Sequence, residues 1–204
     1  MKISLKREPE KAIESENRRL RENMKIKSIE DCNVTILESV DSTNEYIKKL
    51  DCSAAPQVVI AKEQTKGKGT KGRSFYSPKG GLYLSFAFKP EYGLEDAMQI
   101  TVKTGEIVKD IIRKYSDDEP YIKPVNDIYI EGKKVAGILT EADTTGVGKF
   151  SRIIIGIGIN CFENSFPEEI SEIATYIKRP AKDFTIDELV RDIVNALISN
   201  LLSD

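Results

Sequence analysis

QVVIAKEQTKGKGTKGRSFYSPKGGLYLSFAF, residues 57–88, decides the fold class by what stands on either side of its glycines. QVVIAKEQ, 57–64, is a β-branched run that reads as a strand and delivers the chain into a glycine loop. Gly67, Gly69 and Gly72 spell G-x-G-x-x-G, and Gly67 to Ser74 has P-loop spacing with Arg73 in the lysine place. Both motifs need a helix after the glycines, because its N-terminal amides and dipole hold the phosphate. Here Pro78 and the Gly80–Gly81 pair break any helix, and GLYLSFAF, 81–88, alternates as a strand with Leu82, Leu84, Phe86 and Phe88 on one face. Strand, loop, strand excludes both named motifs. Their physics survives: glycines let backbone approach an anion, and Lys66, Lys68, Lys71 and Arg73 neutralise it. The loop reads as a lid over a phosphorylated ligand; the competing reading is a solvated hairpin whose lysines keep a sheet edge soluble.

Outward from this loop, VTILESV (34–40) is a short β-rich run, and DSTNEYIKKL (41–50) starts a helix. Ser42 with Glu45 predicts a capping box there, with Tyr46, Ile47 and Leu50 as the apolar face. Residues 95–115 have helical spacing through Ile100, Val102, Ile107, Val108 and Ile111, weakened slightly by Gly105. NDIYIEGKKVAGILTEA, 126–142, predicts two strands joined at Glu131 and Gly132, and RIIIGIGIN, 152–160, a further buried strand. A final helix is expected, capped by Thr185 with Glu188 and turning Leu189, Ile193, Leu197 and Leu201 inward.

The chain of 204 residues is long enough for one substantial core. Lys and Arg total 31 against 33 Asp and Glu, which excludes a global basic field for nucleic acid, so an anion site must be local. Histidine is absent, which removes every triad built on it and leaves cations, carboxylates or a metal for chemistry. Cys32, Cys52 and Cys161 are widely spaced and odd in number, against a disulfide framework or zinc site and in favour of a cytoplasmic location. No apolar run reaches the length of a membrane span, and no signal peptide is read at the N-terminus. Residues 1–28 are charge-dense and read as a solvated extension; residues 29–204 read as one domain.

Four segments in one order, ESVDSTNEY, KGKGTKGRSFYSPKGGLYLS, IKPVNDIYIEGKKVAGILTEA and IGIGIN, resemble the catalytic domain of biotin–protein ligases. ATYIKRPAKDFTIDEL, 174–189, is similar to the segment leading into that family's last catalytic-domain helix. The resemblance covers roughly residues 34–200 and lies in the ordered set. It implies an α/β (α+β) fold, a mixed and largely antiparallel sheet flanked by helices, related to class II aminoacyl-tRNA synthetase cores. It implies activation of biotin by ATP and magnesium to biotinyl-5′-AMP, then transfer to a lysine of a biotin carboxyl carrier domain. No nucleic-acid or membrane partner is expected, and a homodimer is allowed.

Residue roles follow as implications of the resemblance. Ser42, Thr43, Asn44 and Gln64 would bind biotin's ureido headgroup, with Gly67, Lys68, Gly69, Thr70, Gly137 and Gly156 also at biotin. Gly158 invites the same close-approach explanation as Gly156. Lys134 would bridge the biotin carboxylate and the α-phosphate, and Lys68 and Arg73 would join it as catalytic cations. Lys71, Arg73, Phe75, Lys123, Asn126 and Asn160 would bind the nucleotide, and Asp127 would help hold magnesium. The family's glycine loop usually reads G-R-G-R-x-G-R-x-W, and here Lys68, Thr70 and Phe75 replace two arginines and the tryptophan. Thr70 gives up a charge, which predicts a leakier hold on the adenylate. Pro124 and Val125 likewise stand where the family has Trp-Pro. A lipoate or octanoate ligase of the same fold, a binding protein without turnover, and an RNA-binding module using the basic loop are the competing functions.

Overall fold

A computed structural model describes residues 28–90, 94–124, 126–145, 150–162, 166–178 and 180–202, without the side chains of 71 and 94–98. The expected N-terminal extension, apart from Ser28, lies outside them. The strands are β1 (Asn33–Leu37), β2 (Gln57–Ala61), β3 (Leu82–Phe88), β4 (Tyr121–Lys123), β5 (Asp127–Ile130), β6 (Lys133–Thr144) and β7 (Phe150–Ile159). They form one sheet in the order β1-β2-β3-β7-β6-β5-β4, with β1 and β2 parallel and every other pair antiparallel. The expected mixed, largely antiparallel sheet flanked by helices is therefore present. The helices are α1 (Thr43–Ile47), α2 (Leu94–Tyr115), α3 (Glu168–Ser171) and α4 (Ile186–Leu201).

Strand alternation sorts the two faces. Leu82, Leu84, Phe86 and Phe88 of β3 meet Ile153, Ile155, Ile157 and Ile159 of β7 in the main core, which also takes Val108 and Ile112 of α2 and Val190, Ile193 and Leu197 of α4. The opposite face of the same strands carries Tyr83 and Ser85 beside Gly158 and Gly156, so side chains shrink where the main core's face is bulky. There α1 packs a smaller cluster, Ile47 on Val59, Ala87 and Ile154, with Tyr46 and Leu50 at its margin. The expected face of α1 is thus the buried one.

The β5–β6 turn falls at Glu131 and Gly132, with φ of 49° and 79°, the paired positive values of a tight hairpin turn. The α4 capping box forms: Glu188 N donates to Thr185 Oγ1 at 3.2 Å and Thr185 N to Glu188 Oε2 at 2.8 Å. The α1 box does not. Ser42 makes no side-chain cap bond, and Glu45 turns to Lys48 and Lys68, both at 2.7 Å. Two charge-assisted bonds outcompete one bond to a neutral amide. Val102, expected on the apolar face of α2, is 53% exposed. All three cysteines are free, and burial pushes the Cys161 thiol up to about 12. No described helix is long and apolar enough to cross a membrane.

Candidate active site

The glycine stretch folds as a small β-hairpin arm. Gln64 N donates to Ser77 O at 2.9 Å, Phe75 N to Gly67 O at 2.9 Å and Gly69 N to Arg73 O at 2.7 Å. A 3-10 turn at Thr70–Gly72 makes the tip, with Gly72 at φ 74°. The arm's base is bound to the loop before α1 by Thr65 N to Val40 O and Lys66 N to Asp41 O. It therefore lies over the sheet face that β3 and β7 left open with Ser85, Gly156 and Gly158.

Two adjoining cavities open beneath it. The inner one, about 40 Å³, is bounded by Ser42, Thr43, Asn44, Gln64, Gly137 and Gly156. The outer one, about 700 Å³, is bounded by Gly67, Arg73, Tyr129, Asn160, Phe166 and Ile173 among others. Gln64, Lys68, Gly69, Thr70, Phe75, Asp127 and Lys134 border both.

The inner end is polar and already ordered. Ser42, Thr43 and Asn44 are buried at 2%, 4% and 3% exposure, so each polar atom needs a partner. Thr43 N and Oγ1 donate to Gln64 Oε1 at 2.8 and 3.1 Å, which turns Gln64 Nε2 onto Ser77 Oγ at 2.9 Å. Asn44 Nδ2 donates to Glu141 Oε2 at 2.7 Å, and Asn44 Oδ1 accepts from Ser85 Oγ at 2.6 Å. A Cβ on Gly156 would stand 2.3 Å from Asn44 Oδ1, so only glycine lets this amide lie on the strand. Gly158 makes the same room for Phe75, whose ring would be 2.6 Å from a Cβ there.

At the junction of the cavities, Lys134 Nζ pairs with Asp127 Oδ1 at 2.7 Å and stands 5.4 Å from the centre of the Phe75 ring. The hairpin turn at 131–132 places Lys134, and its backbone is fixed from the far side by Lys134 N to Ile173 O at 2.8 Å and Thr175 N to Lys134 O at 2.9 Å. Arg73 folds back on the tip, with Nη2 on Thr70 Oγ1 at 2.8 Å and Nε on Thr70 O at 3.2 Å. Glu45, between Lys48 and Lys68, is held well below the usual carboxylate range, at about 2, chiefly by its hydrogen bond from Lys48 and then that from Lys68.

The residues singled out from the sequence are thus largely brought together, with three differences. Asn126 borders neither cavity: its amide donates to Ile138 O, and Ile138 N returns to Asn126 O at 3.1 Å, so it ties β5 to β6. Lys123 lies on β4 with Nζ 5.0 Å from the Tyr129 ring centre and borders neither cavity. The side chain of Lys71 lies outside the described residues. Asn160 borders the outer cavity while its Nδ2 holds Thr175 O at 2.9 Å. Sequence reading missed Ser85, Ser77 and Glu141, which orient the polar end. Ser85 as the one small polar residue of an apolar strand was the available signal; the bonds of Ser77 and Glu141 cross 13 and 97 residues and left none.

A family model described as the biotin/lipoate A/B protein ligase family matches residues 36–160. The chain is 36% identical over 129 residues to the bifunctional ligase/repressor BirA of Escherichia coli K12, spanning 62% of this chain and 40% of that protein. It is 31% identical over 128 residues to a biotin–[acetyl-CoA-carboxylase] ligase of Paracoccus denitrificans, spanning 61% of this chain and 53% of that one. The chain thus spans about half the length of the curated relatives it matches. A biotin protein ligase from Aquifex aeolicus, solved with biotin and ATP, superposes with a TM-score of 0.70 at 33% identity, over 83% of this chain and 70% of that one. Matched over most of its sheet and throughout the hairpin arm, the chain belongs to the biotin/lipoate A/B protein ligase family.

Proposed function

We propose that this protein is a biotin–protein ligase acting through biotinyl-5′-AMP, with residues 29–204 as its catalytic domain. The observation that carries the reading is Lys134 at the junction of a buried polar recess and a larger open cavity, where a carboxylate and an α-phosphate can meet a cation held by Asp127. Ser42, Thr43, Asn44 and Gln64 offer a ureido ring both donors and acceptors already held in place. At about 40 Å³ the inner cavity has room for a few waters and not for a bicyclic ligand, and biotin is taken to enter as the Phe75 ring leaves its place over Gly158.

In the first step a biotin carboxylate oxygen attacks the α-phosphorus, the bond to the β-phosphate oxygen breaks, and pyrophosphate leaves. The charge to be neutralised lies between two anions; Lys134 stands at the junction, Lys68 on the wall between the cavities and Arg73 on the border of the outer one, and these are the cations proposed to neutralise it. Phe75, once displaced, offers an aromatic face to the adenine, and Asn160 borders the same cavity. In the second step a neutral lysine amine of the carrier attacks the acyl carbon, AMP leaves, and the amine's proton passes to solvent. No described group of three His, Cys, Asp or Glu residues could hold a metal by itself. Asp127, whose Oδ1 pairs with Lys134, is the carboxylate that would help hold magnesium, and the ion would supply further charge neutralisation there.

The carrier is proposed to be the biotin carboxyl carrier domain of a carboxylase, in the cytoplasm, in keeping with the Paracoccus relative's name. A homodimer through edge strand β1 is supported by Val34 and Ile36, which are 44% and 65% exposed there. The deciding experiment is ATP–pyrophosphate exchange with magnesium, run with biotin, lipoate and octanoate. Exchange that depends on biotin is expected. Exchange with lipoate or octanoate alone would replace the substrate, and biotin binding without exchange would make the protein a binder.

A further inference from the structure

Above its base, the hairpin arm meets the body through the edge-on ring contacts Phe75–Tyr83 and Tyr76–Phe166, and through two further contacts that differ in kind. One is apolar, the Phe75 ring over Gly158 and Gly137. The other is ionic: Lys68 Nζ reaches out of the arm to Glu45 Oε1 on α1, at 2.7 Å. Glu45 is no isolated surface acid. The same oxygen takes Lys48 Nζ at 2.7 Å, and Lys48 in turn takes Glu141 Oε1 at 2.8 Å, whose other oxygen holds Asn44 Nδ2 at 2.7 Å. A continuous chain of bonds thus runs from the arm's cation, through α1, to the amide that faces the inner cavity.

Lys68 borders both cavities, so wherever Glu45 holds its ammonium it also holds the wall between them. A lysine beside two glycines has no preferred direction of its own, and a carboxylate fixed by Lys48 supplies one. A movement of Phe75 alone would break the apolar contact over the glycines and leave this ionic contact in place, with Tyr76 still against Phe166.

We propose that Glu45 is a positioning residue that latches the hairpin arm shut over the site through Lys68, and so governs how long a bound acyl-adenylate is retained. This deepens the ligase reading and rests on it for the ligand's identity, but the latch itself is a property of the free protein. It also bears on Thr70, because an arm that lacks the family's second arginine relies more on what ties it down.

The test begins without ligand. Trypsin can cut the arm after Lys66, Lys68, Lys71 and Arg73, and mass spectrometry of the fragments reports each site. Glu45→Gln should speed cutting within 66–73 by about two- to five-fold, the range expected of a part-exposed ion pair. Cutting after Arg113 in α2 should stay at the wild-type rate. Raising salt toward ~0.5 M should bring wild type up to the variant. In a Lys68→Met background, Glu45→Gln should add nothing. Unchanged cutting in Glu45→Gln, an equal increase at Arg113, or an equal effect in the Lys68→Met background would each overturn the latch. A second arm preloads the wild type and Glu45→Gln with biotin and ATP and follows loss of the bound adenylate. A rise of about two- to five-fold in the variant is expected, and no rise would overturn the retention role. If the wild type forms no adenylate, the ligase reading fails, and the trypsin comparison still decides the latch.

Discussion

Removing the Lys134 ammonium leaves Asp127 without its 2.7 Å partner and leaves the cavity junction without its fixed cation. Lys134→Met should lower kcat/KM for biotin-dependent exchange about 10- to 150-fold, the equivalent of one charge-assisted hydrogen bond. Thermal unfolding of the variant separates this from simple destabilisation: adding Asp127→Asn should recover any lost stability and none of the activity. Gly156→Ala acts differently, because its Cβ displaces Asn44 Oδ1 rather than a charge. Biotin affinity measured by calorimetry should fall at least about tenfold, the effect of uncoupling Asn44 from Ser85 and Glu141 in a buried network. Lys134 and Asn44 were singled out through the resemblance, in GKKVAGIL and DSTN, and the structure places both at the cavities. Ser85 and Glu141 were not, since what they do depends on a register pairing Ser85 with Gly156 and on a helix laid across it. Thr70 has a finding of its own. The threonine that removes a charge from the family pattern accepts a hydrogen bond from Arg73 at 2.8 Å, so a guanidinium three residues on contacts this position.

At the scale of elements, the chain's reading succeeded where local chemistry and tertiary demand agreed. Thr185 and Glu188 formed their box, whereas Ser42 and Glu45 lost theirs to Lys48, one turn along the same helix, and to Lys68, which comes in from the hairpin arm. Strand β4 has three residues, too few to show a period, so its local hairpin pairing with β5, Tyr121 to Tyr129 through Lys123 to Asp127, left no pattern to read. The parallel β1–β2 pair, joined through α1, was equally hidden. Thr185→Ala should therefore cost about 1 kcal/mol of stability in urea unfolding and leave exchange activity unchanged, since α4 lies on the face away from the site. Glu45 gives α1 a pH dependence with a definite sign. Its folded value of about 2 lies below its ordinary 4.5, so its contribution is complete above about pH 4.5 and is lost as pH falls toward 2. Lys48, Lys68 and, through Lys48, Glu141 are the charges around it. The difference in urea midpoint between wild type and Glu45→Gln should be constant at neutral pH and shrink steadily across that acid window. A difference that widened there would contradict the ion-pair origin of the shift.

The whole molecule is asymmetric about its sheet. One face is buried under α2 and α4 in a continuous apolar core; the other is covered by a five-residue helix and a hairpin arm, with two cavities beneath. Burial on the first face sets global stability, because Leu84, Phe86, Ile155 and Ile193 are fully buried there, and truncating one of them costs about 2 to 5 kcal/mol. The second face contributes less and is where ligand must add what packing does not. Two consequences follow for one experiment. Amide exchange in the free protein should be slowest in β3 and β7 and fast in the arm from 64 to 77, whose hydrogen bonds rest on few apolar contacts. Biotin with ATP at about 100 times its dissociation constant should stabilise the folded state by about 2.7 kcal/mol, which raises the unfolding midpoint by about 5 to 10 °C for a chain of this size. The added protection should fall on the arm and α1, and β3 and β7 should slow only by the global amount. Protection that spread evenly over both faces would mean that the arm is not what closes on the ligand, and the site would have to be sought beyond the two cavities described.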